Sequence, residues 1–215
     1  MTASLVDMTL PSWASHLEHK LAPPHLLLVQ AFVNTLDLDL RTDVLGHADE
    51  ARAWLADAGL REPRQPDPDF AADLQLARDV REALRAMIAH NTEGNPLTTE
   101  DNPLTEAELR PLERVTSQAE LRLDVTSDGQ VRWGTMAPAR RLADGLAGLL
   151  LTIRDAQADG SWDRLKLCGN PDCLWAFYDR SHSRRGAWCE MASCGNRHKN
   201  RNLRARRARR AALSS

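Results

Sequence analysis

Four cysteines carry the clearest chemical signal in this 215-residue chain: Cys168, Cys173, Cys189 and Cys194, in the spacing C-x4-C-x15-C-x4-C. No cysteine lies outside this stretch. Two close pairs are an economical way to present four thiolates to one tetrahedral ion, and four protein ligands leave no open position for catalysis. The expected chemistry is one structural Zn2+. The alternatives are two disulfides, four buried thiols, or a site in which His182 or His198 replaces a cysteine. A tight cluster in a chain with no secretory pattern favours metal over a disulfide framework.

A second feature adjoins the first. Residues 161–215 hold 13 basic and 4 acidic residues, whereas residues 1–160 hold 15 basic and 26 acidic ones, so a formal net charge of -2 conceals a strong asymmetry. Arg197, Lys199, Arg201, Arg204, Arg206, Arg207, Arg209 and Arg210 fall within 14 residues. At helical spacing they spread over every face, and so dense a like charge calls for an anionic partner. Nucleic acid, double-stranded DNA first, is the expected partner. Arg184, Arg185, Asn196, Arg197, Lys199, Arg201, Arg204, Arg206 and Arg207 are the candidate contacts. The bland alternatives are a solvated tail, or a tail that docks on the acidic part of its own chain. A protein-interaction module and an RNA-binding module are the rival readings.

The stretch LCGNPDCLWAFYDRSHSRRGAWCEMASCGNRHKNRNLRARRARR resembles the CGNR zinc-finger family, whose name is spelled by Cys194-Gly195-Asn196-Arg197. Trp188-Cys189, Met191, Lys199 and Phe177-Tyr178-Asp179 fit the same pattern. The family's Asp-Thr-Ser step is Asp179-Arg180-Ser181 here, a departure that leaves the ligands untouched. Phe32-Val33-Asn34-Thr35 and the segment around Trp54-Leu55 are similar to the opening of the ABATE domain found in that family. The resemblance implies a stress-related transcription regulator with an N-terminal ligand-sensing domain. It does not imply a target sequence or a ligand.

Other elements must position this site. Apolar periodicity predicts helices from Pro23-Pro24 through Leu36, over His47–Ala58, over Asp69–His90, from the capping-box pair Thr105/Glu108 to Ala119, and from Pro138 to Ala158, stopped by Gly160. Between the last two the period changes to two: Leu121, Leu123 and Val125, an Asp128-Gly129 turn, then Val131 and Trp133, a β-hairpin. The first twenty residues show little pattern, and Asn91 to Pro103 reads as a surface loop. The fold class is therefore α+β. A mainly helical N-terminal domain with a β-hairpin spans 1–160, and a small treble-clef-like zinc finger with a basic C-terminal helix spans 161–215. In the finger, a knuckle at Gly169–Asp172, a strand within Leu174–Asp179, a reversal at Arg180–Gly186 and a helix after Cys194 follow in order.

Within the first domain, Asn34, Trp133 and Arg141 are candidate ligand contacts. Each has a plainer reading: a satisfied buried amide, a core aromatic, and a cation at a helix start. Asp37, Asp39 and Asp43 read as a solvated acidic face. No Gly-rich phosphate loop or nucleophile elbow is present, so the chain reads as a non-enzyme. No apolar run approaches a membrane span, and the expected setting is cytoplasmic. The oligomeric state is not legible, and a homodimer stays open.

Overall fold

The computed structural model describes residues 10–17, 19–92, 95, 103–135 and 139–212, apart from the side chains of 202, 205 and 207–212. The core is organised around α1 (Pro24–Val33), which contacts both α3 (Phe70–Ala89) and α5 (Leu142–Asp159). Proline suits the first turn of α1, where its missing N–H has no helical partner. Seven of the ten residues of α1 are buried, on every side of the helix, which is the pattern of a central helix rather than a surface one. The remaining α-helices among the described residues are α2 (Ala48–Asp57), α4 (Glu106–Gln118) and α6 (Asn196–Ala212).

Local chemistry explains most boundaries. The Thr105/Glu108 capping box closes the start of α4. Gly160, in the left-handed conformation at φ 75°, ends α5. The predicted hairpin forms as β3 (Leu121–Val125) and β4 (Val131–Thr135), with Leu123 opposite Trp133. Gly145 lets α5 lie against the backbone of Leu60, whose carbonyl oxygen would be 2.1 Å from any Cβ added there.

Several expectations need correction. The first helix stops at Val33, and Leu36 belongs to a short antiparallel pair, β1 (Leu36–Asp37) with β2 (Thr42–Asp43). The helix expected from Pro138 to Ala158 starts at Leu142 and runs to Asp159; Pro138 lies outside the described residues. Of the first twenty residues, 10–17, 19 and 20 are described, and this part packs on the body: Ala14 and Leu17 are buried, and the Trp54 indole donates to the Trp13 carbonyl at 2.9 Å. Nor is the start of the 91–103 segment a surface loop. Thr92 and Asn95 are buried, and Asn91 Nδ2 donates to the carbonyls of Trp162 and Leu165.

The C-terminal part begins with β5 (Leu165–Leu167), paired antiparallel with β6 (Ala176–Tyr178). All six strand residues are buried. An isolated two-stranded hairpin is marginal in water. Here β5 packs on α3 and β6 on α1, so Leu165, Leu167, Ala176 and Tyr178 join the same hydrophobic cluster as the helices. The core therefore runs continuously across residue 160. No helix among the described residues is long and apolar enough to cross a membrane.

Candidate metal centre

The first knuckle sits at the turn of the β5–β6 hairpin. Cys168 directly follows β5, and its N–H donates to the carbonyl of Trp175 at 2.9 Å. The chain then turns through Gly169–Asp172, with the N–H groups of Cys173 and Leu174 both donating to the carbonyl of Asn170. Leu174 adopts φ 49°, the left-handed region that a branched side chain enters only at a cost. Its carbonyl thereby accepts from the buried Arg85 guanidinium at 3.0 Å. The second pair arrives from the other side. Cys189 lies at the end of the 180–188 loop, and Cys194 lies in a wide helical turn, Met191–Gly195, that runs directly into α6.

The four sulfurs lie within 4.8 Å of one another. Cys173 and Cys189 are 3.8 Å apart, and Cys189 and Cys194 are 3.7 Å apart. A tetrahedron of sulfurs at the zinc–thiolate bond length has edges of about 3.8 Å. A disulfide would require about 2.05 Å, and all four cysteines are free. Cys168, Cys173 and Cys194 are buried, with Cys189 half-buried. Asn170 Nδ2 approaches the Cys194 sulfur at 3.7 Å. Sulfhydryls of Cys173 and Cys189 stabilise a Cys168 thiolate, while the same contacts hold Cys173 and Cys189 above the ordinary thiol range. These opposed shifts have one cause, the crowding of negative charge among neighbouring sulfurs. A dication supports four thiolates, because its charge offsets their mutual repulsion. Neither His182 nor His198 belongs to the cluster; the His198 ring packs at a tilt against Trp188 with ring centroids 4.7 Å apart.

Residues outside the ligands fix the centre to the helices. Asn34 is buried, and its amide meets the backbone of Ala176 twice: Nδ2 donates to the carbonyl at 2.8 Å, and Oδ1 accepts from the N–H at 2.8 Å. The side chain thus substitutes for a neighbouring strand beside β6. Gln30 Nε2 adds a donor to the same carbonyl at 3.1 Å. Arg85 links the Leu174 carbonyl to that of Val33 at the end of α1. Burial pulls the Arg85 pKa down, and Glu82 opposes that shift. Sequence reading missed Gln30 and Arg85. The only trace was a polar residue on an otherwise apolar helix face.

Asp179 anchors the loop that carries the two arginines. It is buried, 3.4 Å from buried Lys166, and accepts from the N–H groups of Ser181 at 3.0 Å and Gly186 at 2.7 Å. Although burial alone would raise its pKa, these hydrogen bonds and the Lys166 charge bring it down to about 2. An added Cβ at Gly186 would sit 2.8 Å from the carboxylate and force it to shift.

The basic candidates divide into paired and solvent-facing groups. Arg184 and Arg185 are exposed on the loop, and every described side chain of α6 is exposed. Arg197 forms a bidentate pair with Asp39, at 2.6 and 2.9 Å, that holds the carboxyl below its ordinary range. Arg201 reaches Asn170 at 3.1 Å and Asp172 at 3.4 Å. Lys199, Arg204 and Arg206 form no ion pair among the described residues. The Asn196 amide bonds to the Ala192 carbonyl. The Arg207 side chain lies outside the described residues. The acidic face predicted at 37–43 is also engaged: Asp43 pairs with Arg81, Asp39 with Arg197, and Asp37 accepts from the Leu40 N–H.

The three ligand-contact candidates do not converge. Asn34 is committed to Ala176. Trp133, expected in a core or pocket wall, is 49% exposed. Arg141 is matched by Asp144 in the first turn of α5 and by Glu120, which resolves the apparent conflict with the helix dipole. A cavity of about 810 Å3 lies instead between α3 and α4, bordered by Glu82, Arg85, His90, Arg110 and Arg114.

Fold and site together define a mixed helix-and-strand protein with a C-terminal four-cysteine centre of zinc-finger type, a geometry that indicates a zinc-binding site. Residues 164–207 match the CGNR zinc finger. Residues 27–159, more than half of the chain, match the ABATE family, described as "Putative stress-induced transcription regulator", and the chain belongs to that family. Comparison with curated proteins gives no match.

Proposed function

We propose that this chain is a DNA-binding transcription regulator, that its metal is one Zn2+, and that its helical part receives a small-molecule signal. The observation that carries the reading is α6. It leaves the metal centre directly, exposes every described side chain, and presents Lys199, Arg204 and Arg206 without acidic partners among the described residues. A helix with no apolar face gains little from packing on its own chain. Phosphates would match its charge, and zinc modules commonly lay such a helix in the major groove. Sulfur-only ligation at these spacings favours zinc, and closure of the site by four cysteines favours a structural ion and a binding protein rather than an enzyme.

The test is fluorescence anisotropy of labelled duplex DNA with the full chain, with and without a zinc chelator. Expected are tight low-salt binding that weakens on chelation and a log–log salt slope near about -5, for roughly six neutralised phosphates. No low-salt binding refutes the reading, and binding indifferent to chelation reduces the tail to a simple polycation. Structured RNA as competitor separates DNA from RNA preference.

The Arg197–Asp39 pair favours a second reading, in which the acidic part of the chain holds the base of the basic helix. It reaches only the first turn of α6. For the small molecule, the α3–α4 cavity is the favoured place, because Arg85 lines it and also holds the knuckle through Leu174. A fragment screen by ligand-detected NMR, repeated with Arg114→Glu, tests this; hits indifferent to that reversal refute it.

A further inference from the structure

The β3–β4 hairpin carries its apolar face outward. The register places Leu121, Leu123, Val125, Val131 and Trp133 on one side of the two strands. Their exposures are 41, 56, 72, 63 and 49%. The other side is polar, with Arg122 and Asp124 paired at 3.3 Å. Alternation of this kind normally marks a sheet with one covered face and one wet face. Here the face that composition assigns to a core meets solvent. The hairpin joins the body where Thr135 of β4 approaches Gly148 of α5, and no third strand pairs with it among the described residues.

We propose that this face is a self-association surface, on which a second copy of the chain packs its own β3–β4 hairpin about a two-fold axis. Size supports it. With Trp133 taken at the upper end of about 150–250 Å2 and the four aliphatic residues at the lower end, the five exposures leave roughly 500 Å2 of contiguous, mostly apolar surface. That lies at the upper end of what a monomer displays. Two such faces stacked together remove about 1,000 Å2 before any rim contact, the threshold of a specific interface. The identity of the occupant follows from the rest of the surface. Eight large hydrophobic side chains are exposed among the described residues, and five of them share this face. The other three, Leu40, Met191 and Leu203, lie on separate elements. Within the described chain, the best complement to an apolar plate is therefore the plate itself. Stacked sheets also satisfy two-fold symmetry, since the same residues serve both sides. The proposal is independent of the metal and nucleic-acid readings, because its test reads mass.

The experiment is sedimentation equilibrium of the zinc-loaded full chain over a wide micromolar range, for wild type, Trp133→Lys and Leu123→Lys. Wild type should approach twice the chain mass of 24.0 kDa. Each substitution should raise the dimer dissociation constant at least about 30-fold, as expected for loss of a central anchor. Both side chains are exposed, so helicity and the zinc-to-protein ratio should not change, and this control separates lost association from lost folding. Val125→Lys, at the hairpin tip, gives a third variant should either of the others fail that control. A wild-type chain that stays monomeric throughout overturns the proposal, as does a dimer that survives the substitutions. A version lacking residues 1–9 tests the rival occupant: if removing them turns a monomer into a dimer, the chain's own N-terminus covers the face and the proposal as stated fails.

Discussion

Asn34→Ala tests whether the finger is tied to the helical body by a side chain acting as a strand. The substitution removes two 2.8 Å hydrogen bonds to Ala176. The Ala176 carbonyl keeps the Gln30 donor at 3.1 Å, but its N–H is left without a partner in a buried setting. An orphaned buried donor costs about 1–3 kcal/mol, and the second bond adds about 0.5–1.5 kcal/mol. The expected loss is thus about 2–4 kcal/mol. For a protein of this size that corresponds to a fall in Tm of roughly 5–15 °C. The assay is thermal and urea unfolding of zinc-loaded protein. Asn34→Asp supplies a sharper arm. A carboxylate there keeps the acceptor for the Ala176 N–H but faces the Ala176 carbonyl oxygen, whereas a protonated carboxyl reproduces both bonds. Burial and the facing carbonyl raise the pKa of the introduced acid in the folded state. Its stabilising contribution is therefore fully present below the unfolded value and is lost as pH rises through the folded one. The Asn34→Asp deficit should be smaller near pH 4 than at pH 7. An Asn34→Ala protein that unfolds within about 0.5 kcal/mol of wild type would refute the reasoning and return Asn34 to the list of candidate ligand contacts.

The other predictions are shorter. Metal release followed colorimetrically should give one zinc per chain, and Cys173→Ser should abolish stoichiometric retention. Because β5 and β6 belong to the shared core, chelation should lower Tm while leaving most of the helical circular-dichroism signal; complete unfolding would contradict this. Asp179 has a depressed folded pKa of about 2, so its contribution of about 2 kcal/mol is present above the unfolded value near 4 and disappears as pH falls through 2. Asp179→Asn should accordingly lose stability at pH 6 but differ little from wild type near pH 2, as read by urea titration at the two pH values. Arg204→Ala should weaken DNA binding across sequences and reduce the salt slope by about 1. Asp39→Asn, which frees Arg197, should strengthen binding, and a weakened complex would mean the pair positions α6 instead. Gly145→Ala should cost at least about 1–3 kcal/mol in thermal unfolding, since the Leu60 backbone has no room to give.

The sequence alone determined what depends on local spacing. Two cysteine pairs at this spacing point to a metal site, because the ligand geometry is closed within one short segment. The capping box at Thr105, the Asp128-Gly129 turn and the stop at Gly160 were legible for the same reason: each acts on its own neighbours along the chain. The order of helices and hairpin followed from periodicity, and the basic character of the 196–212 helix from composition.

What the tertiary structure decided was every relation between distant segments. Asn34 and Ala176 are 142 positions apart, and nothing local distinguishes an amide that binds a ligand from one that replaces a strand. Arg85 looked like an ordinary helix residue until the Leu174 carbonyl arrived beside it. Alternation along Leu121–Val125 showed that the hairpin has an apolar face, but not whether the chain covers it. Periodicity reports which residues share a side; what lies against that side is settled only when the rest of the chain, or another molecule, is in place.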